Sequence, residues 1–72
     1  MEEKEFSLAG AEYVELDKLL KLLRLVESGG QAHELITRGL VRRDGKAETR
    51  KRAKLRVGDE VVFNGHRIKI TE

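Results

Sequence analysis

Apolar residues recur along this chain with two different periods, and the period changes at Gly39. Leu16, Leu19, Leu20 and Leu23 fall at i, i+3, i+4 and i+7, which is one face of a helix. Lys18, Lys21 and Arg24 fall on another face, so the spacing predicts a first helix over 15–26. A second helix has clearer ends. Ser28 is a good N-cap, and Gln31 three residues later completes a capping box. Ala32, Leu35 and Ile36 make its buried stripe. Arg38 suits the negative end of the helix dipole, and Gly39 is placed to turn left-handed just beyond it. So short a helix needs the first one to dock against.

Beyond Gly39 the period is two. Residues 40–43 read as a strand, followed by the hairpin signal Asp44-Gly45. Ala53, Leu55 and Val57 alternate with Arg52, Lys54 and Arg56, giving one apolar face and one ladder of cations. Gly58-Asp59 turns the chain into a strand over Glu60–Phe63. Asn64-Gly65 is a second hairpin signal, after which Ile68 and Ile70 alternate with Arg67 and Lys69. Residues 4–8 alternate enough for a short edge strand. The expected fold is α+β: two packed helices followed by a small twisted antiparallel sheet, in one domain over 1–72. No Pro, low-complexity tract or repeat marks a linker.

Length and composition narrow the classes. A chain of 72 residues buries only about 60% of the surface its unfolded form exposes, so nearly every apolar face is needed for folding. No room is left for an enzyme-sized cleft. The absence of Cys removes disulfides, thiolate metal sites and thiol nucleophiles, and fits a reducing cytoplasm. The acidic start, Met-Glu-Glu-Lys-Glu, does not read as a secretory leader. The apolar stretch 19–26 is interrupted by Lys21 and Arg24 and is far short of the ~20 residues of a membrane span. The basic amphipathic pattern of the first helix could serve a membrane surface, but a core this small requires that helix for packing.

Charge is segregated. Residues 1–27 carry four basic and seven acidic side chains. Between Arg38 and Arg56 nine Lys or Arg face only Asp44 and Glu48, a local +7 in a chain whose total is +2. A run of charge is often only a solvated surface, but solubilising surfaces usually intersperse both signs. Here the excess sits on a hairpin and strand just after a helix, where it can converge on a polyanion. Only Phe6, Tyr13 and Phe63 are aromatic, and Phe63 reads as core. Single-strand readers need several exposed rings, so the expected partner is structured RNA, recognised by phosphates and groove shape. The second helix offers few side chains for reading a DNA major groove. Gly29 and Gly30 lower helix propensity in a first turn, yet they would let a phosphate approach the N–H groups there. His33 reads as an exposed helix position, and His33 and His66 lack ligand partners, so neither metal nor other cofactor is expected. No carboxylate pair, Ser-His-Asp arrangement or phosphate loop points to an enzyme.

The run Ser-Gly-Gly-Gln-Ala-His-Glu-Leu-Ile-Thr-Arg-Gly-Leu-Val-Arg-Arg-Asp-Gly-Lys over 28–46 closely resembles the S-four-type RNA-binding domain, as does Leu-Arg-Val-Gly-Asp-Glu-Val over 55–61. The shared positions are Ser28, Ala32, Leu35, Ile36, Gly39, Val41, Asp44, Gly45, Val57, Gly58 and Asp59, and the core motif spans about 14–63. Leu19-Leu20-Lys21 and the Glu-Thr-Arg-Lys-Arg of 48–52 look closer still to the small stand-alone bacterial branch, the YbcJ-like proteins. The resemblance implies an alpha-L motif that binds RNA through the second helix and the following hairpin, with ribosomal RNA or tRNA as partner and a ribosome-associated role in assembly or translation. Many relatives carry Ser-Arg where this chain has Ser28-Gly29, and an apolar residue where it has Arg43.

The candidate RNA contacts are Lys21, Ser28, Gly29, Gly30, Arg38, Arg42, Arg43, Lys46, Arg50, Lys51, Arg52 and Lys54, with Arg56 a weaker one. A monomer is expected. The rival reading is a protein-interaction or regulatory module whose basic face docks an acidic partner or an RNA-modifying enzyme.

Overall fold

A computed structural model describes all residues 1–72. Strand β1 (Glu2–Ser7) comes first, then β2 (Val14–Glu15) and two helices, α1 (Leu16–Leu22) and α2 (Gly29–Thr37). Five strands follow: β3 (Arg42–Arg43), β4 (Lys46–Ala47), β5 (Lys54–Leu55), β6 (Glu60–Phe63) and β7 (His66–Thr71). The main sheet has the order β1-β7-β6-β3-β4, and β2 and β5 form a separate two-stranded ribbon. Both helices of the expected fold are present, but the order "helices, then sheet" is not. The edge strand β1 precedes the helices and lies parallel to β7, with Lys4 beside Ile68 and Phe6 beside Ile70, so the sheet is mixed rather than antiparallel.

The period-two segments sort the sheet into a dry and a wet face. Val61, Phe63, Ile68 and Ile70 are buried, while Arg67 and Lys69 between them stay exposed. Leu16, Leu19 and Leu20 from α1, and Ala32 and Ile36 from α2, pack against them, and with Leu8, Val26, Val41, Ala53 and Leu55 they make a core of fourteen buried apolar residues. Both hairpin signals hold: Asp44-Gly45 and Asn64-Gly65 each have two successive positive φ angles, the turn that matches strand twist.

Both helices end in the same way. The Leu25 N–H donates to the Leu20 carbonyl and the Arg24 N–H to the Lys21 carbonyl, and Leu40→Leu35 and Gly39→Ile36 repeat the pattern after α2. Gly39 takes the left-handed position at φ 76°, as expected. After α1 that position falls to Arg24 at φ 59°, so the helix ends at Leu22 rather than near 26, although the apolar spacing continues. Val26 is buried from the loop instead. A left-handed non-glycine residue costs about 1–2 kcal/mol, and burial of Leu25 and Val26 is what holds it.

Three finer expectations change. The Ser28 hydroxyl accepts from the Gln31 N–H at 3.1 Å, but the Gln31 side chain reaches back to the Glu27 N–H (2.6 Å), one residue before the cap. Val57 leaves the apolar face and is 54% exposed, because β5 ends at Leu55. His33 is half-buried rather than exposed, with Nε2 2.8 Å from Asp17 Oδ2, and ties α2 to the first turn of α1.

Candidate nucleic-acid interface

The cationic segment is laid out by four successive elements. Arg38 caps α2, and Gly39 beside it is packed closely enough that a Cβ there would lie 4.0 Å from that of Ala47 in β4. The end of α2 therefore abuts the β3–β4 hairpin. Arg38 reaches Glu34 at 3.0 Å, but both side chains are mostly in water, where such a pair contributes under about 1 kcal/mol and yields readily to a phosphate. On the hairpin, Arg42 pairs across to Ala47 and Val62 and donates to the Gly45 carbonyl at 3.3 Å. Lys46 is exposed opposite Arg43.

Arg43 sits one residue on and faces the other way, with its side chain 23% exposed. It donates to Asp59 Oδ2 at 2.8 Å and lies 3.6 Å from Glu48 Oε1. The Glu48 carboxylate is buried. It accepts from Arg50 three times: the backbone N–H at 3.2 Å, and Nε and Nη2 at 3.1 Å each. Those bonds, led by the Arg50 side chain, hold the Glu48 carboxyl below its ordinary range against the opposing effect of burial. The Arg50 guanidinium is correspondingly made harder to deprotonate by Glu48. It remains 73% exposed, so Glu48 fixes its position without hiding it.

The loop 48–53 is anchored at both ends. The Glu48 N–H donates to the Val41 carbonyl at 2.9 Å. At the far end the carbonyls of Lys51 and Ala53 accept the Asp17 and Leu16 N–H groups at 3.1 and 2.9 Å. These are otherwise orphan donors at the start of α1, so the loop plugs that helix end. The side chains of Lys51 and Arg52 stay exposed. Lys54 and Arg56 then lie over the Tyr13 ring, at 4.9 and 5.6 Å from its centroid.

Contiguous elements thus carry Arg38, Arg42, Lys46, Arg50, Lys51, Arg52 and Lys54, with Lys46 on the face of the hairpin opposite to that of Arg42. Two candidate groups lie elsewhere. Lys21 is on the exposed face of α1 with Lys18, near Arg24 just beyond the helix. Ser28, Gly29 and Gly30 are at the start of α2, opposite Arg38 along a helix of nine residues, about 13 Å. There Ser28 is spent on the Gln31 N–H, while the Gly29 and Gly30 N–H groups have no acceptor within the helix. A Cβ on Gly29 would meet nothing within 4 Å, and one on Gly30 only the Ser28 hydroxyl at 3.9 Å. Packing therefore does not require either glycine.

Sequence reasoning missed the neutralising role of Glu48 and Asp59, and the pairing of Tyr13 with two cations. One of only two acids inside a basic run was the available signal for Glu48. Nothing local signals Tyr13, whose neighbours lie some forty residues away.

An α-L arrangement of two helices and a hairpin, with its cations gathered at the hairpin, defines a class. Residues 6–71 match the S4 domain, and the chain belongs to that family. It is 48% identical over 65 residues to "Putative RNA-binding protein YbcJ" of Escherichia coli (strain K12), covering 90% of this chain and 93% of the relative. The same identity and coverage hold for "Uncharacterized protein YbcJ" of Shigella flexneri. Among solved structures, the solution structure of YbcJ from E. coli, which is described as revealing an "alfaL" motif involved in RNA binding, superposes with a TM-score of 0.72 at 46% identity. That match covers 94% of this chain and 86% of the other. No helix here is long and apolar enough to cross a membrane.

Proposed function

We propose that this chain is a non-catalytic RNA-binding protein, a single domain over 1–72 that works as a cytoplasmic monomer. It docks structured, A-form RNA through the end of α2, the β3–β4 hairpin, the loop 48–53 and β5. Its target is ribosomal RNA, and its setting is ribosome assembly or translation. The observation that carries this reading is the placement of Arg38, Arg42, Lys46, Lys51, Arg52 and Lys54, all exposed, on elements that touch in sequence and in space. The two buried-side acids are occupied by Arg43 and Arg50, so they do not cancel the outer charges. Such a surface attracts phosphates, and its lack of an aromatic array favours duplex geometry over single strands. The description of the E. coli relative as RNA-binding supports the same class, and the choice of ribosomal RNA follows what the family resemblance implies.

The test is ultraviolet crosslinking in cells followed by sequencing of the attached RNA. Ribosomal fragments are the expected result, and tRNA fragments would move the target while keeping the class. A protein partner that survives nuclease digestion, with no crosslinked RNA, would overturn the reading in favour of an acidic protein partner.

The start of α2 gives a further measurable expectation. A Cβ at Gly29 or Gly30 meets no clash, and Leu at both raises helix propensity by up to about 1 kcal/mol per site. The double substitution Gly29→Leu/Gly30→Leu should therefore keep or raise Tm. It should weaken RNA binding about tenfold, because the side chains bar phosphates from the helix N–H groups. Unchanged affinity in the folded variant would remove this helix end from the interface.

A further inference from the structure

We infer that Tyr13 is a stacking platform for one unpaired nucleobase beside the duplex that the basic surface holds; this rests on the RNA-binding reading above. Tyr13 is the aromatic side chain that solvent reaches most. It is 38% exposed, whereas Phe63 is 7% exposed and Phe6 packs against the core. It precedes the ribbon in which Val14 pairs with Leu55 and Glu15 with Lys54. That pairing carries the ring to the Lys54–Arg56 end of the cationic segment. Lys54 and Arg56 lie over the ring.

This arrangement suits a nucleotide better than it suits the fold. Two cations over one exposed ring repel each other, and the ring buries little against the core. A nucleotide resolves both problems. Its flanking phosphates pair with Lys54 and Arg56, and its base takes the ring face that a cation covers in the free protein. Base–aromatic stacking is stronger than an exposed cation–π contact, so the exchange is favourable once the cations have phosphates. Beyond the ring the surface is lined by Ala11, Glu12, Val14, Glu15 and Lys18. Glu12 there repels phosphates and leaves the backbone of the RNA on the Lys54–Arg56 side, while Glu15 is paired with Lys18 at 3.5 Å. Exposed Val57 adds apolar surface next to Arg56. A continuous duplex keeps its bases inside and cannot use the ring, so the predicted ligand is a helix interrupted by a bulged or overhanging nucleotide.

Two hairpin RNAs that differ by a single bulged nucleotide test this, with wild type, Tyr13→Phe and Tyr13→Leu protein. Wild type and Tyr13→Phe should bind the bulged RNA about tenfold more tightly than the uninterrupted one. Tyr13→Leu should bind both RNAs with the affinity that wild type shows for the uninterrupted helix. Because the chain has one Tyr and no Trp, tyrosine emission reports this ring alone, and bulged RNA should quench it while the uninterrupted helix does not. That readout requires no variant and so does not depend on how a substitution folds. Equal binding of both RNAs by wild type, without selective quenching, overturns the inference and leaves RNA binding intact. Failure of wild type to bind either RNA overturns the RNA-binding reading and this inference with it.

Discussion

Replacing Lys46, Lys51 and Arg52 together with Ala should reduce affinity for an A-form RNA about a thousandfold at 0.1 M salt. All three side chains are exposed, and no acid lies within ion-pair distance of them. Each phosphate contact releases roughly one counterion, so its contribution to log affinity grows as log salt falls and amounts to about one decade at 0.1 M. The slope of log affinity against log salt should accordingly flatten by about 3. Fold stability should hold, because these side chains bury nothing. Arg43→Ala serves as the contrast. That side chain bonds Asp59 on the inner side, so its loss should lower Tm and leave the salt slope nearly unchanged. An unchanged slope in the triple variant would remove the loop and hairpin from the interface. A flattened slope in Arg43→Ala would show that this arginine leaves Asp59 to meet RNA.

The second large effect concerns Glu48. Glu48→Ala should destabilise the protein by about 2 kcal/mol, because it removes the three hydrogen bonds that the carboxylate accepts from Arg50 and frees the loop, while Arg43 keeps its bond to Asp59. For a domain this size that corresponds to a fall in Tm on the order of 10 °C. The pH dependence has a definite sign. The folded carboxyl is held below its unfolded value, so its stabilisation is complete above the ordinary Glu range. It disappears as pH falls through the lowered folded value. Melts of wild type and Glu48→Gln should differ most at neutral pH and converge in acid. A constant difference across that window would mean that packing, not charge, makes Glu48 important. RNA affinity should move the opposite way to stability. Glu48→Gln removes a negative charge from under two arginines, so the folded variant should bind several-fold more tightly and with a steeper salt slope.

What was legible in the sequence was whatever is encoded locally. The Leu16–Leu19–Leu20 face, the Ser28 cap, Gly39 and the two Xaa-Gly turns each follow from residues within a few positions of one another. Glu60–Phe63 and the alternation at Ile68 and Ile70 are of the same kind. The parallel β1–β7 pair joins positions such as Phe6 and Ile70 through the whole fold, and no local pattern encodes it. The end of α1 was misplaced because Leu25 and Val26 continue a helical spacing, while tertiary burial draws them out of the helix. Composition located the cationic segment, but not which cations are already engaged. Arg43 and Arg50 look the same in sequence as Lys51 and Arg52. The bond of Arg43 to Asp59 and the inward turn of Glu48, whose N–H is held by Val41, separate the two pairs.

The plug that the loop 48–53 forms against the start of α1 also governs how fast and how tightly a ligand can settle. A free six-residue loop would have to be ordered at the moment of contact, and that lost freedom would be subtracted from affinity. Here Lys51 and Ala53 have their backbones fixed by Asp17 and Leu16 before any ligand arrives. Only the outer side-chain torsions remain to be restricted. Association then resembles rigid-body docking steered by long-range attraction. Its rate rises as ionic strength falls, with no slow conformational step to limit it.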